Sequence, residues 1–171
     1  MAKREYGNES IKALKDEERV RKRPAVIFGS DGLEGCEHAA FEILSNSIDE
    51  AREGYGKKII LTYHTDRSIE VEDFGRGCPV DFNEREQRYN WELVYCELYA
   101  GGKYNTAEGE NYEYSLGLNG LGACATQYSS EYMDVTVHRD GMEYSLHFEK
   151  GKNVGGLKKE PKKYASTGTR T

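Results

Sequence analysis

The sequence predicts an α+β chain on three observations: one strongly amphipathic helical stretch, two pairs of alternating strands closed by short turns, and a long glycine-rich interval between them. Its 171 residues suffice for one domain at about 150 residues each. Residues 1–15 are polar with no strong apolar period, so they read as an N-terminal arm ordered by docking, ahead of a domain over 16–171. Asp16 to Lys22 reads as a short charged helical turn halted before Pro24. From Cys36 to Arg52 the period is helical. With Glu42 as zero, Ala40, Phe41, Leu44, Ile48 and Ala51 fall between about 160° and 260°, the expected buried arc. Glu42, Asn46 and Asp49 lie opposite, and Gly54 stands where a helix stop belongs.

Lys58 to Thr65 and Ser68 to Asp73 alternate as strands that should pair antiparallel. Phe74 to Gly122 follows without regular pattern except for an apolar segment, Trp91 to Ala100, that could be helical. Such length points to a functional loop. Met133 to Arg139 and Met142 to Phe148 alternate around Asp140-Gly141, a hairpin signal, and Thr167 to Thr171 enters a last strand.

Composition narrows the function. Twenty-four basic against thirty acidic residues leave a net charge of −6, the wrong sign for a surface that grips polyanions. The apolar fraction of 37% includes 13 tyrosines, so the core is modest. A chain of this size still buries roughly 70% of its unfolded surface, so metals and disulfides are not needed to hold it. The four cysteines show no C-x-x-C spacing and the four histidines are dispersed as ordinary side chains. No apolar run spans a bilayer, and Met1 to Ser10 lacks the apolar stretch of an export signal. The expectation is a soluble cytoplasmic protein.

Three polar constellations carry chemistry. The first is Glu42, Asn46, Asp49 and Glu50 on one helix. A solvated face is the bland reading, but an amide oxygen is a neutral hard ligand suited to magnesium. A glutamate one turn away can orient a water that attacks a phosphoryl group. The second is Asp73-Phe74-Gly75-Arg76-Gly77-Cys78-Pro79 after a strand. It is an ordinary strand-ending turn, or one whose carboxylate accepts a hydrogen bond from an exocyclic amine such as that of adenine, with Arg76 pairing Glu50 as support. The third is Gly117-Leu118-Asn119-Gly120-Leu121-Gly122 running into Ala123 to Gln127, with Gly101-Gly102-Lys103 upstream. Glycine turns ahead of a helix bare N–H groups to anions. Neither a Rossmann context nor a G-x-x-x-x-G-K-[ST] loop is present.

In this order the three resemble the GHKL (Bergerat) ATP-binding fold of type II topoisomerases, ninety-kilodalton heat-shock chaperones, MutL proteins and sensor histidine kinases. Thr167-Gly168-Thr169 supplies the last strand's threonine. Arg21-Lys22-Arg23-Pro24, Asn46-Ser47-Ile48-Asp49-Glu50-Ala51, Arg76-Gly77-Cys78-Pro79 and Ala100-Gly101-Gly102-Lys103 further resemble the B subunit of bacterial DNA gyrase or topoisomerase IV. The resemblance implies a two-layer α/β sandwich with a mixed, mostly antiparallel sheet and helices on one face.

It also implies residue roles. Glu42 would polarise the attacking water and Asn46 would bind magnesium, while Asp73 and Thr169 would receive adenine. Glu50, Arg76, Gly77 and Pro79 would border the nucleotide. Gly101, Gly102, Lys103 and Leu116 to Gly122 (Leu116, Gly117, Leu118, Asn119, Gly120, Leu121, Gly122) would cradle the triphosphate, with Tyr112 packing on it. Tyr6 and Ile11 would cross to a partner copy, and Arg139 would stand at the rim contacted by aminocoumarin inhibitors. ATP and Mg2+ are the implied cofactors. The implied partners are a second copy of the chain and, through domains outside it, the topoisomerase A subunit and DNA; no membrane is involved. Asn119, Cys78 and Thr126 to Ser130 depart from the family's usual residues. The transducer domain's lysine is absent, so turnover by this piece alone should be slow. Alternatives are a nucleotide-gated dimerisation module with little turnover, and a related chaperone or mismatch-repair ATPase.

Overall fold

Seven strands, all paired antiparallel, form the floor onto which the helices are laid in this computed structural model, which describes residues 13–100, 121–161 and 166–171. The chain enters through α1 (Asp16–Lys22), whose first turn is acidic and last turn basic, as its dipole favours. After Pro24 it adds a turn the periodicity does not announce, α2 (Ala25–Phe28), ended by Gly29 at φ 76°. Helix α3 (Leu33–Arg52) begins three residues earlier than the periodicity suggests and stops where Gly54 takes φ 92°.

Strands β1 (Ile59–Tyr63) and β2 (Ile69–Asp73) pair with Leu61 opposite Val71. Their turn is closed by Asp66 Oδ1, which accepts from the Ser68 N–H (2.9 Å) and hydroxyl (2.7 Å). Inside the interval expected as loop lies a small hairpin, β3 (Phe82–Asn83) and β4 (Arg88–Tyr89), leading into α4 (Asn90–Cys96). The Tyr89 N–H donates to Glu92 Oε2 at 2.9 Å, fixing the start of that helix.

Helix α5 (Gly122–Ser129) precedes the second hairpin, β5 (Tyr132–Arg139) and β6 (Met142–Glu149). Asp140 and Gly141 both take positive φ, 52° and 72°, as a two-residue turn requires. Short strands β7 (Lys152–Asn153) and β8 (Lys158–Pro161) pair with β6, and β8 ends on Pro161, which suits an edge. Strand β9 (Gly168–Arg170) inserts between β2 and β5, giving the order β1-β2-β9-β5-β6-β7.

One face of this sheet is covered. Val135, Val137, Leu146 and Phe148 form its core with Val80 and Tyr95, packed by Ile43 of α3, Trp91 of α4 and Ala123 of α5. A second cluster joins Val20, Phe28, Cys124, Ala125 and Tyr128. The expected buried arc of α3 is corrected here. Phe41 remains 47% exposed, while Ser45, Ser47 and Asp49 are buried. Periodicity places the stripe, but the sheet and α5 lie beside it: Ser47 meets β2, and the Ala39 carbonyl accepts from Thr126 of α5.

Candidate functional site

Helix α3 crosses the covered face of the sheet with Glu42, Asn46, Asp49 and Glu50 along one flank, bordering a cavity of about 550 Å³. The opposite wall is the end of β2 and its turn, with Asp73, Cys78 and Pro79, and the far edge carries Thr169 of β9 and Arg139 of β5. These residues are scattered from position 42 to 169, and the antiparallel order brings them together: β9 lies between β2 and β5, setting Thr169 beside Asp73.

Asp73 is the most constrained group. Its Oδ2 accepts from the Ser47 hydroxyl at 3.0 Å, and its Oδ1 accepts from the backbone N–H of Gly75 (3.0 Å) and of Thr169 (3.2 Å). A carboxylate has roughly four acceptor positions, so about one remains for a donor in the cavity. Thr169 Oγ1 accepts from the Cys78 N–H at 2.9 Å, which leaves its hydroxyl hydrogen to donate. An acceptor and a donor therefore stand side by side, the pattern that reads an amino-purine edge.

Gly168 packs so closely that an added Cβ would lie 2.1 Å from the Asp73 carbonyl oxygen. The backbone approach that sets Thr169 against Asp73 thus depends on glycine.

Glu50 does not face the cavity as a free carboxylate. Arg76 donates to it through Nε, Nη2 and its backbone N–H, each at 2.8 Å, and reaches Glu53 at 2.6 Å while stacking on Tyr55 at 3.8 Å. The hydrogen bonds it donates to Glu50, before the one to Glu53, hold the guanidinium pKa above its ordinary value. This cluster ties the end of α3 to the β2 turn. Arg139 Nη1 donates to the Gly77 carbonyl at 2.9 Å on the other side of that turn.

Glu42 stands at the start of α5, where an added Cβ on Gly122 would come within 2.2 Å of Glu42 Oε2 and 2.9 Å of its Cβ. Its Oε1 lies 3.2 Å from His38 Nε2, and His38 Nδ1 lies 3.2 Å from the Phe28 carbonyl oxygen. Both ring nitrogens thus face acceptors, so both contacts are hydrogen bonds only when the pair holds one proton beyond neutral imidazole and carboxylate. Dispersal along the sequence makes His38 an ordinary side chain; its i, i+4 spacing to Glu42 is the signal that points to this contact.

The Asn46 side chain is exposed to the cavity with no protein partner among the described residues. No group of three or more His, Cys, Asp or Glu that could hold a metal occurs among them. The donor set fits a magnesium ion that takes one amide oxygen from the protein and the rest from phosphates and water. Cys78 lies in the wall, and burial pushes its thiol pKa up to about 11.

Glu42, Asn46, Glu50, Asp73, Arg76, Gly77, Pro79, Gly122, Arg139 and Thr169 all border this one cavity. Leu121 precedes α5 and is not among the lining residues. Tyr6, Ile11, Gly101, Gly102, Lys103, Tyr112 and Leu116 to Gly120 lie outside the described residues.

Fold and site together define a two-layer sandwich of the GHKL ATPase type. No family model matches the chain. It is 46% identical over 149 residues to the DNA gyrase B subunit of Thermotoga maritima, covering 87% of this chain and 23% of that one. Against the type 2 topoisomerase B subunit of Aquifex aeolicus it is 44% identical over 153 residues, covering 90% and 19%. The crystal structure of the 43K ATPase domain of Thermus thermophilus gyrase B, in complex with an aminocoumarin, superposes with a TM-score of 0.73 at 33% identity, covering 92% of this chain and 38% of that one. The chain belongs to the family of DNA gyrase B subunits, matching its ATPase domain region. It spans about a fifth of the length of the curated relatives it matches.

Proposed function

We propose that this chain is the ATP-binding and hydrolysing domain of the B subunit of a type II DNA topoisomerase. In this reading Mg-ATP drives two copies together and closes a clamp for DNA strand passage. Residues 1–15 serve as the dimerisation arm and 16–171 as the nucleotide domain; the A subunit and DNA engage other domains of the longer protein. The observation that carries the reading is the Asp73–Thr169 pair, an acceptor beside a donor at the edge of a cavity whose other flank holds Glu42 and Asn46.

The residues divide the work. Asp73 accepts the exocyclic amine of adenine while Ser47, Gly75 and Thr169 hold its carboxylate in place. Asn46 holds magnesium, which when bound offsets the phosphate charge. Glu42 orients the attacking water, with His38 fixing its carboxylate from the preceding turn. Arg76 and Glu50 keep the walls in register and take no part in the reaction. The N-terminus of α5 and the glycine segment with Lys103 before it meet the triphosphate.

Calorimetric titration of ATP into the chain and into Asp73→Asn tests the adenine contact. The amide presents a donor where an acceptor is required, so affinity should fall by about 10- to 100-fold. Because Asp73→Asn could also disturb the fold, the same two proteins are titrated with a purine triphosphate lacking the exocyclic amine. The parent should lose most of its advantage over the variant with that ligand. Equal losses from the substitution with both nucleotides would place adenine elsewhere.

A further inference from the structure

Helix α5 runs from the cavity to α1. At its N-terminal end Gly122 and Ala123 border the cavity that holds Glu42 and Asn46. No side chain caps that end among the described residues, and the first N–H groups of a helix have no partner within it. Gly122 stands against Glu42 with no slack, since a Cβ there would fall 2.2 Å from Glu42 Oε2. The place of α5 along its own axis therefore decides how far its donors stand from that carboxylate and from a phosphate beside it.

The opposite end is gripped by a cation. Arg21 of α1 donates through Nη1 to the carbonyl oxygens of Tyr128 (3.1 Å), Ser129 (3.4 Å) and Ser130 (2.6 Å), and through Nη2 to Glu131 Oε1 (2.6 Å). The last carbonyls of a helix point along its axis and carry its negative partial charge, so a guanidinium there bears on the helix lengthwise. The planar fork of arginine spans these oxygens and the carboxylate together, which an ammonium does not. The neighbouring Val20 is buried with Cys124, Ala125 and Tyr128 in one apolar cluster, which anchors α1 against α5. Thr126 and Tyr128 tie α5 to the Ala39 and Cys96 carbonyls through side chains, which project across the axis. The helix has eight residues, a length of about 12 Å, too short to absorb a shift at one end by bending.

We propose that Arg21 is a positioning residue for the phosphate-bearing end of the cavity: by holding the last carbonyls of α5 it sets the Gly122 and Ala123 N–H groups against Glu42 and the triphosphate. The proposal rests on the nucleotide reading for its ligand and on the α1–α5 contact for its geometry. A purely stabilising cap would weaken every ligand alike. A lengthwise hold acts on the phosphates and spares the base, which Asp73 reads from β2.

The test uses the 171-residue chain and its Arg21→Gln, Arg21→Lys, Arg19→Gln and Glu131→Gln variants, well below the Tm of each. Arg19 lies on the same helix and pairs with Asp16 at the surface, so Arg19→Gln makes the same charge change away from these carbonyls. Without nucleotide, Arg21→Gln should shift the Gly122 and Ala123 amide resonances, and Arg19→Gln should leave them in place. In calorimetric titrations Arg21→Gln should weaken Mg-ATP binding about five- to tenfold, the size of a helix-end charge effect, while adenosine binds within about twofold of the parent. Arg21→Lys keeps the charge without the fork; it should show the same pattern at smaller size, and it decides the matter if Arg21→Gln does not fold. Unmoved amides would overturn the positioning. So would equal losses for adenosine and Mg-ATP, an equal loss in Arg19→Gln, or the full loss in Glu131→Gln, which leaves the carbonyl hold intact. A parent that binds no Mg-ATP would instead refute the nucleotide reading, with the amide resonances still deciding the hold on α5.

Discussion

At Gly122 a single hydrogen atom sets the distance between a helix and the candidate base. Alanine there would favour α5 by roughly 1 kcal/mol of helix propensity, yet its Cβ would overlap Glu42 Oε2 at 2.2 Å and crowd Glu42 Cβ at 2.9 Å. In a longer polypeptide that turns over ATP, Gly122→Ala should lower steady-state phosphate release by at least tenfold while nucleotide affinity changes less. Unchanged release would mean that Glu42 has room to move and that its position does not limit hydrolysis. Far from the cavity, His147 lies 2.6 Å from Asp134 and 3.2 Å from Glu149 on the open face of the sheet. These hydrogen bonds, the Asp134 one first, raise its pKa above 6.5. A raised folded pKa adds stability that is complete below the unfolded value and is lost as pH climbs through the folded one. Thus His147→Gln should lower Tm below about pH 6 and cost little above the folded pKa. A Tm difference that grows with pH would reverse the sign and refute the assignment. The gain is small because the ring is well exposed and water screens the pair.

The elements that the sequence discloses are those held by short-range chemistry. Asp140-Gly141 announces the β5–β6 hairpin because such residues take two positive φ values in succession at little cost. Gly141 tests that account cleanly, since an added Cβ would meet nothing within 4 Å. Gly141→Val should therefore destabilise by conformation alone, about 1–2 kcal/mol, read as a lower denaturant midpoint with an unchanged m-value. An unaltered midpoint would mean that the turn can reshape without strain. What stays hidden is decided by tertiary contact. The two-residue strands β3, β4 and β7 are too short to show a period. The apolar arc of α3 is visible, but which flank it turns to the sheet is not, because Ser47 and Asp49 are buried through bonds and packing made by distant elements. Among site residues, Glu42, Asn46 and Asp73 are legible from motif spacing. The Ser47 donor to Asp73 is not, since it depends on α3 meeting β2, whereas the His38 contact with Glu42 is carried by i, i+4 spacing that dispersal of the histidines along the chain conceals.

At the scale of the molecule the governing fact is charge. On the proposed function, a chain of net charge −6 would have to admit a triphosphate beside Glu42, Asp49 and Glu50. Among the described lining residues, the cations Arg76 and Arg139 are already engaged, one by Glu50 and Glu53, the other by the Gly77 carbonyl and Asp140. Placing several negative charges there without compensation is strongly unfavourable. A divalent cation on the Asn46 amide is the compensation the donor set accommodates. Long-range repulsion from the rest of the chain is damped within about 8 Å at physiological salt, so the local ion matters more than the net value. Calorimetric titration of ATP with magnesium replaced by a chelator should therefore give affinity at least tenfold weaker, and Asn46→Ala should lose most of that magnesium dependence while binding adenosine like the parent. Adenosine carries no phosphate, so its binding reports only the Asp73 end of the cavity. If ATP binds equally well without the metal, or if Asn46→Ala retains the full dependence, the cation sits on other ligands and the proposed division of the cavity into a base-reading end and a phosphate-bearing end is wrong.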